Sequence, residues 1–262
     1  MTPLLETRGL TFAIGRARLV RDVTFDVSPG EVLTIVGANG AGKSTLLGLL
    51  GGDLKPTSGE VNIAGRPAAK TNPAQLARVR AVLPQRSRIE FAFTVREVVM
   101  MGRSPHQKSS TPAEDNAVVE TSLARAGVEH LADRSFPTLS GGEQARVCFA
   151  RVLAQRTPVV LLDEPTAALD IRFQHMVLGE ARRLAHEGVA VVAVLHDINL
   201  AAAYATRVAV MHRGAMAALG EPEAVLTAET LSEVYSHPVD VIRDPRTGQR
   251  LVVPQPALVA AG

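Results

Sequence analysis

A chain of 262 residues, 46% hydrophobic and 21% charged, has material for a sizeable core and reads as globular, one large domain or two modest ones. A formal charge of +2 without a Lys/Arg block, two Tyr and no Trp argue against a nucleic-acid footprint and against base-stacking platforms. One cysteine excludes an intrachain disulfide framework and suits a reducing compartment, and no apolar run approaches the ~20 residues that cross a bilayer.

The first thirty residues predict antiparallel strands, with Val23, Phe25 and Val27 alternating against Thr24 and Asp26 and a turn at Ser28-Pro29-Gly30. No N-terminal segment has the charged start and apolar centre of a signal peptide, so a soluble, cytosolic chain is expected unless a partner holds it at a membrane. The apolar, β-branched run Glu31–Val36 predicts a strand, and Leu46, Leu47, Leu49 and Leu50 predict a buried helix face that stops at Gly51-Gly52. Between them stand Gly37, Ala38, Asn39, Gly40, Ala41, Gly42, Lys43, Ser44 and Thr45, the pattern G-x-x-x-x-G-K-[ST] in its proper strand–helix context. Glycines let main-chain amides wrap phosphates, a lysine there reaches the β- and γ-phosphates, and the Ser44 hydroxyl can bind magnesium.

A short strand is expected over Glu60–Ala64, followed by helices over Pro73–Arg80, Thr94–Met101, Pro112–Ala126 and Glu143–Gln155, with a polar loop from Gly102 to Thr111. Ala81-Val82-Leu83-Pro84 is strand-like and delivers Gln85, whose amide could sense a metal or water and relay its state to the helices. Ser140 and Glu143 stand in the S-x-x-E relation of a capping box. Val147, Ala150, Val152 and Leu153 supply the apolar face of that helix, Arg146 and Arg151 the other, and Cys148 reads as core filling. Gly141 and Gly142 cost such a helix on the order of 1 kcal/mol each relative to alanine. Bare backbone at a helix N-terminus favours an anion, so the pair points to a phosphate.

The apolar runs Val159–Leu162 and Val189–Leu195, separated by a helix over Ile171–His186, read as parallel strands buried on both faces, with right-handed crossovers. In open parallel sheets ligands sit beyond the carboxyl ends of strands. There the chain places Asp163 and Glu164, an acid to hold magnesium and an acid to orient and deprotonate an attacking water. The other strand ends in His196, able to donate a hydrogen bond to a γ-phosphate. Asp170 can cap the helix that begins at Ile171, a role compatible with a functional one.

Together these residues resemble the ATP-binding subunit of ABC transporters over most of the chain. G-A-N-G-A-G-K-S-T resembles the Walker A loop, Gln85 the Q-loop glutamine and L-S-G-G-E-Q the family signature. V-V-L-L-D-E-P resembles Walker B with its catalytic glutamate, A-A-L-D the D-loop, and His196 the switch histidine. The resemblance implies an α/β fold: a P-loop NTPase (RecA-like) core with a mainly parallel sheet, an N-terminal antiparallel β subdomain and an inserted α-helical subdomain. Residues 1–84 and 156–262 would form the core with a short tail after Pro238, and 85–155 the helical subdomain that receives a membrane partner.

It further implies ATP and Mg2+, with Glu164 and His196 catalytic and Ser44, Gln85 and Asp163 at the metal. Head-to-tail pairing in a homodimer would bring the signature, with Ser140, Gly141, Gly142 and Glu143, to the γ-phosphate held by the Walker A loop of the other subunit, and Asp170 of the D-loop is expected among the nucleotide-binding residues. Family members often stack adenine on an aromatic where this chain has Ile14; Phe12, two positions earlier, would face the same side of a strand. A narrower resemblance, over A-V-L-P-Q-R-S-R-I-E-F-A-F-T-V-R-E-V-V-M-M-G-R-S-P-H and D-P-R-T-G-Q-R-L-V-V-P, is to haem importer ATPases of the group that imports iron–siderophore complexes and cobalamin. It implies two transmembrane permease subunits, a periplasmic haem-binding protein and a place on the cytoplasmic face of the bacterial inner membrane. Import of a ferric siderophore or cobalamin is the same-fold alternative; a soluble ABC ATPase of translation or DNA repair, or a non-hydrolysing regulatory module, are the alternatives of other classes.

Overall fold

The computed structural model describes residues 2–85, 89, 91–167 and 169–256. Its strands are β1 (Leu5–Ile14), β2 (Ala17–Val27), β3 (Val32–Gly37), β4 (Ser58–Ile63), β5 (Arg66–Pro67), β6 (Arg80–Leu83), β7 (Val159–Asp163), β8 (Ala190–Val194), β9 (Arg207–His212), β10 (Ala215–Gly220), β11 (Val239–Arg243) and β12 (Arg250–Pro254). Its helices are α1 (Lys43–Gly51), α2 (Pro73–Leu76), α3 (Val95–Met100), α4 (Pro112–Arg125), α5 (Gly141–Gln155), α6 (Ile171–His186), α7 (Ile198–Tyr204), α8 (Pro222–Val225) and α9 (Ala228–Tyr235).

The central sheet runs β10-β9-β3-β8-β7-β6, parallel throughout except for the antiparallel edge strand β10. Its apolar runs are buried on both faces because alternate residues enter two different cores. Leu33, Ile35, Val159, Leu161, Val192 and Val194 face α1 and the antiparallel sheet β2-β1-β4-β5. Val32, Val36, Val160, Leu162, Val191 and Ala193 face the core shared with the helices α3 to α9. This is the P-loop NTPase architecture expected from the sequence, with its antiparallel N-terminal sheet.

Three expectations need correction. The helix placed over Pro73–Arg80 is a single turn, α2: the Asn72 side chain accepts from the Gln75 N–H to cap it, and Arg80 already pairs with Val159 in β6. Sheet pairing outcompetes helix once Arg80–Leu83 can alternate beside β7. The polar segment Gly102–Thr111 begins not as a surface loop but as a 3-10 turn over Met101–His106. Its Arg103 is buried, donating to Asp115 at 2.7 Å and to the Ala154 carbonyl at 2.9 Å. Charge misleads there because the partner that makes burial tolerable lies on α4.

Arg146 is likewise buried rather than on an outer face: its guanidinium lies 3.7 Å from the centroid of the Phe173 ring and donates to the Gly127 carbonyl at 2.7 Å. Cys148 is core, as expected. After Pro238 the chain forms a β-hairpin, β11–β12. Asn199 of α7 fastens it by accepting from the Val252 N–H at 2.7 Å and donating to the Val252 carbonyl at 3.3 Å.

Candidate functional site

The phosphate-loop candidate spans the end of β3 and the start of α1. Gly37 has φ 149°, and a Cβ on it would stand 2.2 Å from the Met211 carbonyl oxygen; Gly42 has φ 97°, and a Cβ there would stand 2.3 Å from the Leu19 carbonyl oxygen. Both positions therefore exclude any side chain on two counts. Lys43, the first residue of α1, is buried and donates through Nζ to the Gly37 carbonyl at 2.7 Å and the Ala38 carbonyl at 3.1 Å. Burial pushes its ammonium below the usual lysine range, while the carboxylates of Glu164 and Asp163 pull the other way. A cavity of about 250 Å³ opens here, lined by Asn39, Gly40, Ala41, Gly42, Lys43, Ser44, Thr45, Glu164, His196 and Leu19.

The parallel order β8-β7-β6 delivers the remaining groups. Ser44 Oγ donates to Asp163 Oδ1 at 3.2 Å across 119 residues of sequence. Burial raises the Asp163 carboxyl above its ordinary range, and the Ser44 hydrogen bond opposes that shift. Hydroxyl and carboxylate oxygens side by side at the phosphate loop form a hard donor pair that fits magnesium, which takes one or two protein ligands beside substrate phosphates.

Glu164 adopts φ 49°, the left-handed region, which costs a non-glycine residue on the order of 1 kcal/mol. There its carboxylate accepts from Gln85 Nε2 at 2.6 Å through one oxygen and pairs with His196 Nε2 at 2.5 Å through the other. Gln85, Glu164 and His196, from three strand ends, thus meet on one carboxylate.

Ser140, Gly141, Gly142, Glu143 and Asp170 do not line this cavity. The capping box is present: Glu143 accepts from the Ser140 N–H at 2.8 Å, and Ser140 Oγ accepts from the Glu143 N–H at 3.4 Å. The Ser140 hydroxyl, which donates to the Glu143 carboxylate at 2.7 Å, and then the Ser140 N–H hold that carboxyl below the ordinary range. A Cβ on Gly141 would meet nothing within 4 Å, so packing inside the chain does not require glycine there. Asp170 caps α6 by accepting from the Phe173 N–H at 3.0 Å.

Neither Phe12 nor Ile14 lines the cavity: Phe12 packs against the core of the antiparallel sheet, and Ile14 is 63% exposed. Leu19, missed by sequence reasoning, does line it. Phe12 pairs with Val20 and Ala13 with Arg18, which leaves Leu19 as the extra residue of a bulge, a device that re-aims a side chain. A bulge is a two-strand event and leaves no mark in the periodicity of one strand. Ala168 of A-A-L-D, and Arg86, Ser87, Arg88 and Glu90 of the haem-importer-like segment, lie outside the described residues.

Known proteins resemble this chain in both sequence and fold. The family model for ABC transporters matches residues 20–167. The Hemin import ATP-binding protein HmuV of Nocardia farcinica is 53% identical over 96% of this chain and 86% of its own length, and that of Thermobifida fusca 52% over 97% and 89%. Among solved structures, an inward-facing one described as a metal-chelate type ABC transporter superposes with a TM-score of 0.83 at 29% identity, covering 98% of this chain and 99% of that one. A dimeric bacterial ABC transporter cassette gives 0.76 at 28% identity over 83% and 98%. With a phosphate loop, a buried lysine and a carboxylate shared by glutamine and histidine on one sheet edge, and with relatives matching along nearly its whole length, the chain belongs to the ABC transporter ATP-binding family.

Proposed function

We propose that this chain is the ATP-hydrolysing subunit that energises haem import across a bacterial inner membrane, working as a homodimer with two membrane-spanning subunits and a periplasmic haem-binding protein. The observation that carries the hydrolytic reading is the meeting of Gln85, Glu164 and His196 at the mouth of the Lys43 cavity. The cargo reading is supported by the hemin-import relatives, which match along the whole chain rather than over the nucleotide motifs alone.

The amides of Gly37–Thr45 and the Lys43 ammonium would bind the phosphates of ATP. Ser44 and Asp163 would hold Mg2+, with the Gln85 side-chain oxygen as a further donor; the ion, when bound, neutralises charge building on the β- and γ-phosphates. Glu164, held by two hydrogen bonds, would orient water and take its proton as the water oxygen bonds to the γ-phosphorus and the bond from that phosphorus to the β,γ-bridging oxygen breaks, leaving ADP and phosphate. His196 both fixes that carboxylate and stands within the cavity lining to donate to the γ-phosphate.

Ser140, Gly141, Gly142 and Glu143, away from this cavity, would complete the site of a second copy. Gly141, free of any internal packing demand, supports that reading, because a close approach from outside the chain would explain it. Among the described residues no helix is long and apolar enough to cross a membrane, so the membrane path would be supplied by the partner subunits. The helical segment 85–155 is the proposed docking region for them, and the cytoplasmic face the proposed location.

The test is ATP-driven uptake into vesicles holding the chain with its cognate membrane subunits and binding protein. Haem uptake that is lost with Glu164→Gln supports the reading. Uptake of a ferric siderophore or cobalamin alone would replace the cargo, an outcome the metal-chelate structural relative keeps in view.

A further inference from the structure

The turns that precede α5 and α6 are built alike. Leu139-Ser140-Gly141-Gly142-Glu143-Gln144 and Leu169-Asp170-Ile171-Arg172-Phe173-Gln174 share the pattern L-[SD]-x-x-x-Q. In each, the second residue caps the helix through its side chain, and the glutamine N–H donates to that residue's carbonyl at 2.9 Å. Each glutamine side chain then folds back to donate through Nε2 to two carbonyls, five and eight residues earlier. Gln144 reaches Leu139 at 3.2 Å and Phe136 at 3.4 Å; Gln174 reaches Leu169 at 3.1 Å and Thr166 at 3.3 Å.

The leucine N–H in each turn donates to the same distal carbonyl, at 3.2 Å from Leu139 to Phe136 and 3.3 Å from Leu169 to Thr166. The distal carbonyl of each turn thus takes one main-chain donor, in a 3-10 turn over Phe136–Thr138 for the first, and the glutamine amide adds a second, spending its two hydrogens on two carbonyls of the same turn. The two turns are joined to each other. Arg146, two residues after Gln144, stacks on Phe173, one residue before Gln174, and its burial makes that contact hard to give up.

We propose that Gln144 and Gln174 are positioning residues that hold the Ser140 and Asp170 turns as one rigid unit for the second copy of the chain, an inference that rests on the composite-site reading above. Neither glutamine lines the Lys43 cavity, so losing its amide leaves binding of ATP by the chain's own phosphate loop intact. What it removes is the preset angle at which the turn meets the partner's nucleotide, and a free turn must be ordered anew in each closure.

The experiment uses full-length chain and four variants: Gln144→Leu, Gln174→Leu, Gln144→Glu and Gln174→Glu. Three quantities are read: steady-state hydrolysis, affinity for a fluorescent ATP analogue, and ATP-driven dimerisation in a Glu164→Gln background. Expected is a fall in kcat of roughly tenfold for each leucine variant, equivalent to about 1.4 kcal/mol, with weakened dimerisation and analogue affinity within about twofold. The glutamates, of native shape but presenting an acceptor to the carbonyls, should fall at least as far, and they stand in should a leucine variant not fold. Unchanged turnover and dimerisation would overturn the proposal. So would loss of analogue affinity and thermal stability in step with activity, the mark of a purely structural role. Ser140→Arg separates the two levels: if it leaves turnover intact the composite site itself fails, whereas if it abolishes turnover and the glutamine variants remain active, only the positioning role fails.

Discussion

Glu164 carries the sharpest expectations. Its backbone is held at φ 49° and its two oxygens are engaged by Gln85 and His196, so the side chain has little freedom beyond the one pose. Glu164→Gln keeps shape but removes the proposed base, and should slow hydrolysis by ~10²–10⁴-fold while a fluorescent nucleotide still binds. His196→Ala frees one carboxylate oxygen and should lower kcat with little change in nucleotide affinity, read from steady-state kinetics beside equilibrium titration. The nature of Gln85, Asp163, Glu164 and His196 was legible in the sequence because each follows an apolar strand. That Gln85 and His196 bond the same carboxylate was not, for they are 79 and 32 residues from Glu164 in the chain. Leu19 was equally hidden, since its direction depends on a mismatch with β1 rather than on its own neighbours.

Among elements, the helix starts follow a single local chemistry. α3, α4 and α5 each open with a complete capping box, Thr94/Glu97, Thr111/Glu114 and Ser140/Glu143. The hydrogen bonds from each cap hold the three glutamates below the ordinary carboxyl range. A depressed carboxyl stabilises the fold at pH above its unfolded-state value and loses that contribution as pH falls through its folded-state value. Thermal unfolding followed from neutral pH down to about pH 3 should therefore show acid destabilisation that is shallower in Glu97→Gln and Glu114→Gln than in the parent. Where local chemistry met distant partners, sequence reading failed: α2 ends early because β6 pairs with β7, and the turn at Met101–His106 closes because Arg103 finds Asp115.

For the molecule as a whole, the two faces of the central sheet set what a mutation does. Phe149, 1% exposed in the core shared by the helices, is not among the residues that line the Lys43 cavity. Phe149→Ala should cost ~3–5 kcal/mol in denaturant unfolding, with nucleotide affinity preserved in the fraction that folds. Asn199 is one of the side chains that tie the C-terminal hairpin down, beside Ser232, which accepts from the Val239 N–H, and it presents its amide to Val252 as a neighbouring strand would. Asn199→Ala should leave hydrolysis largely in place while speeding amide exchange at Val252 and protease cleavage in β11–β12. Hydrogen exchange read by mass spectrometry, localised to that hairpin, checks this.

From amino-acid order alone came the phosphate loop, the acids and histidine at strand ends, the capping boxes and the alternation of strand and helix. All are short-range: they depend on residue type, on spacings of two to four, and on where apolar runs stop. Folding added convergence and burial. Only the order β3-β8-β7-β6 brings Lys43, Ser44, Asp163, Glu164, His196 and Gln85 to one edge, because parallel neighbours end together. Partners supplied from other helices, likewise, are what let Arg103 and Arg146 leave water, and a residue's own sequence neighbourhood carries no trace of them.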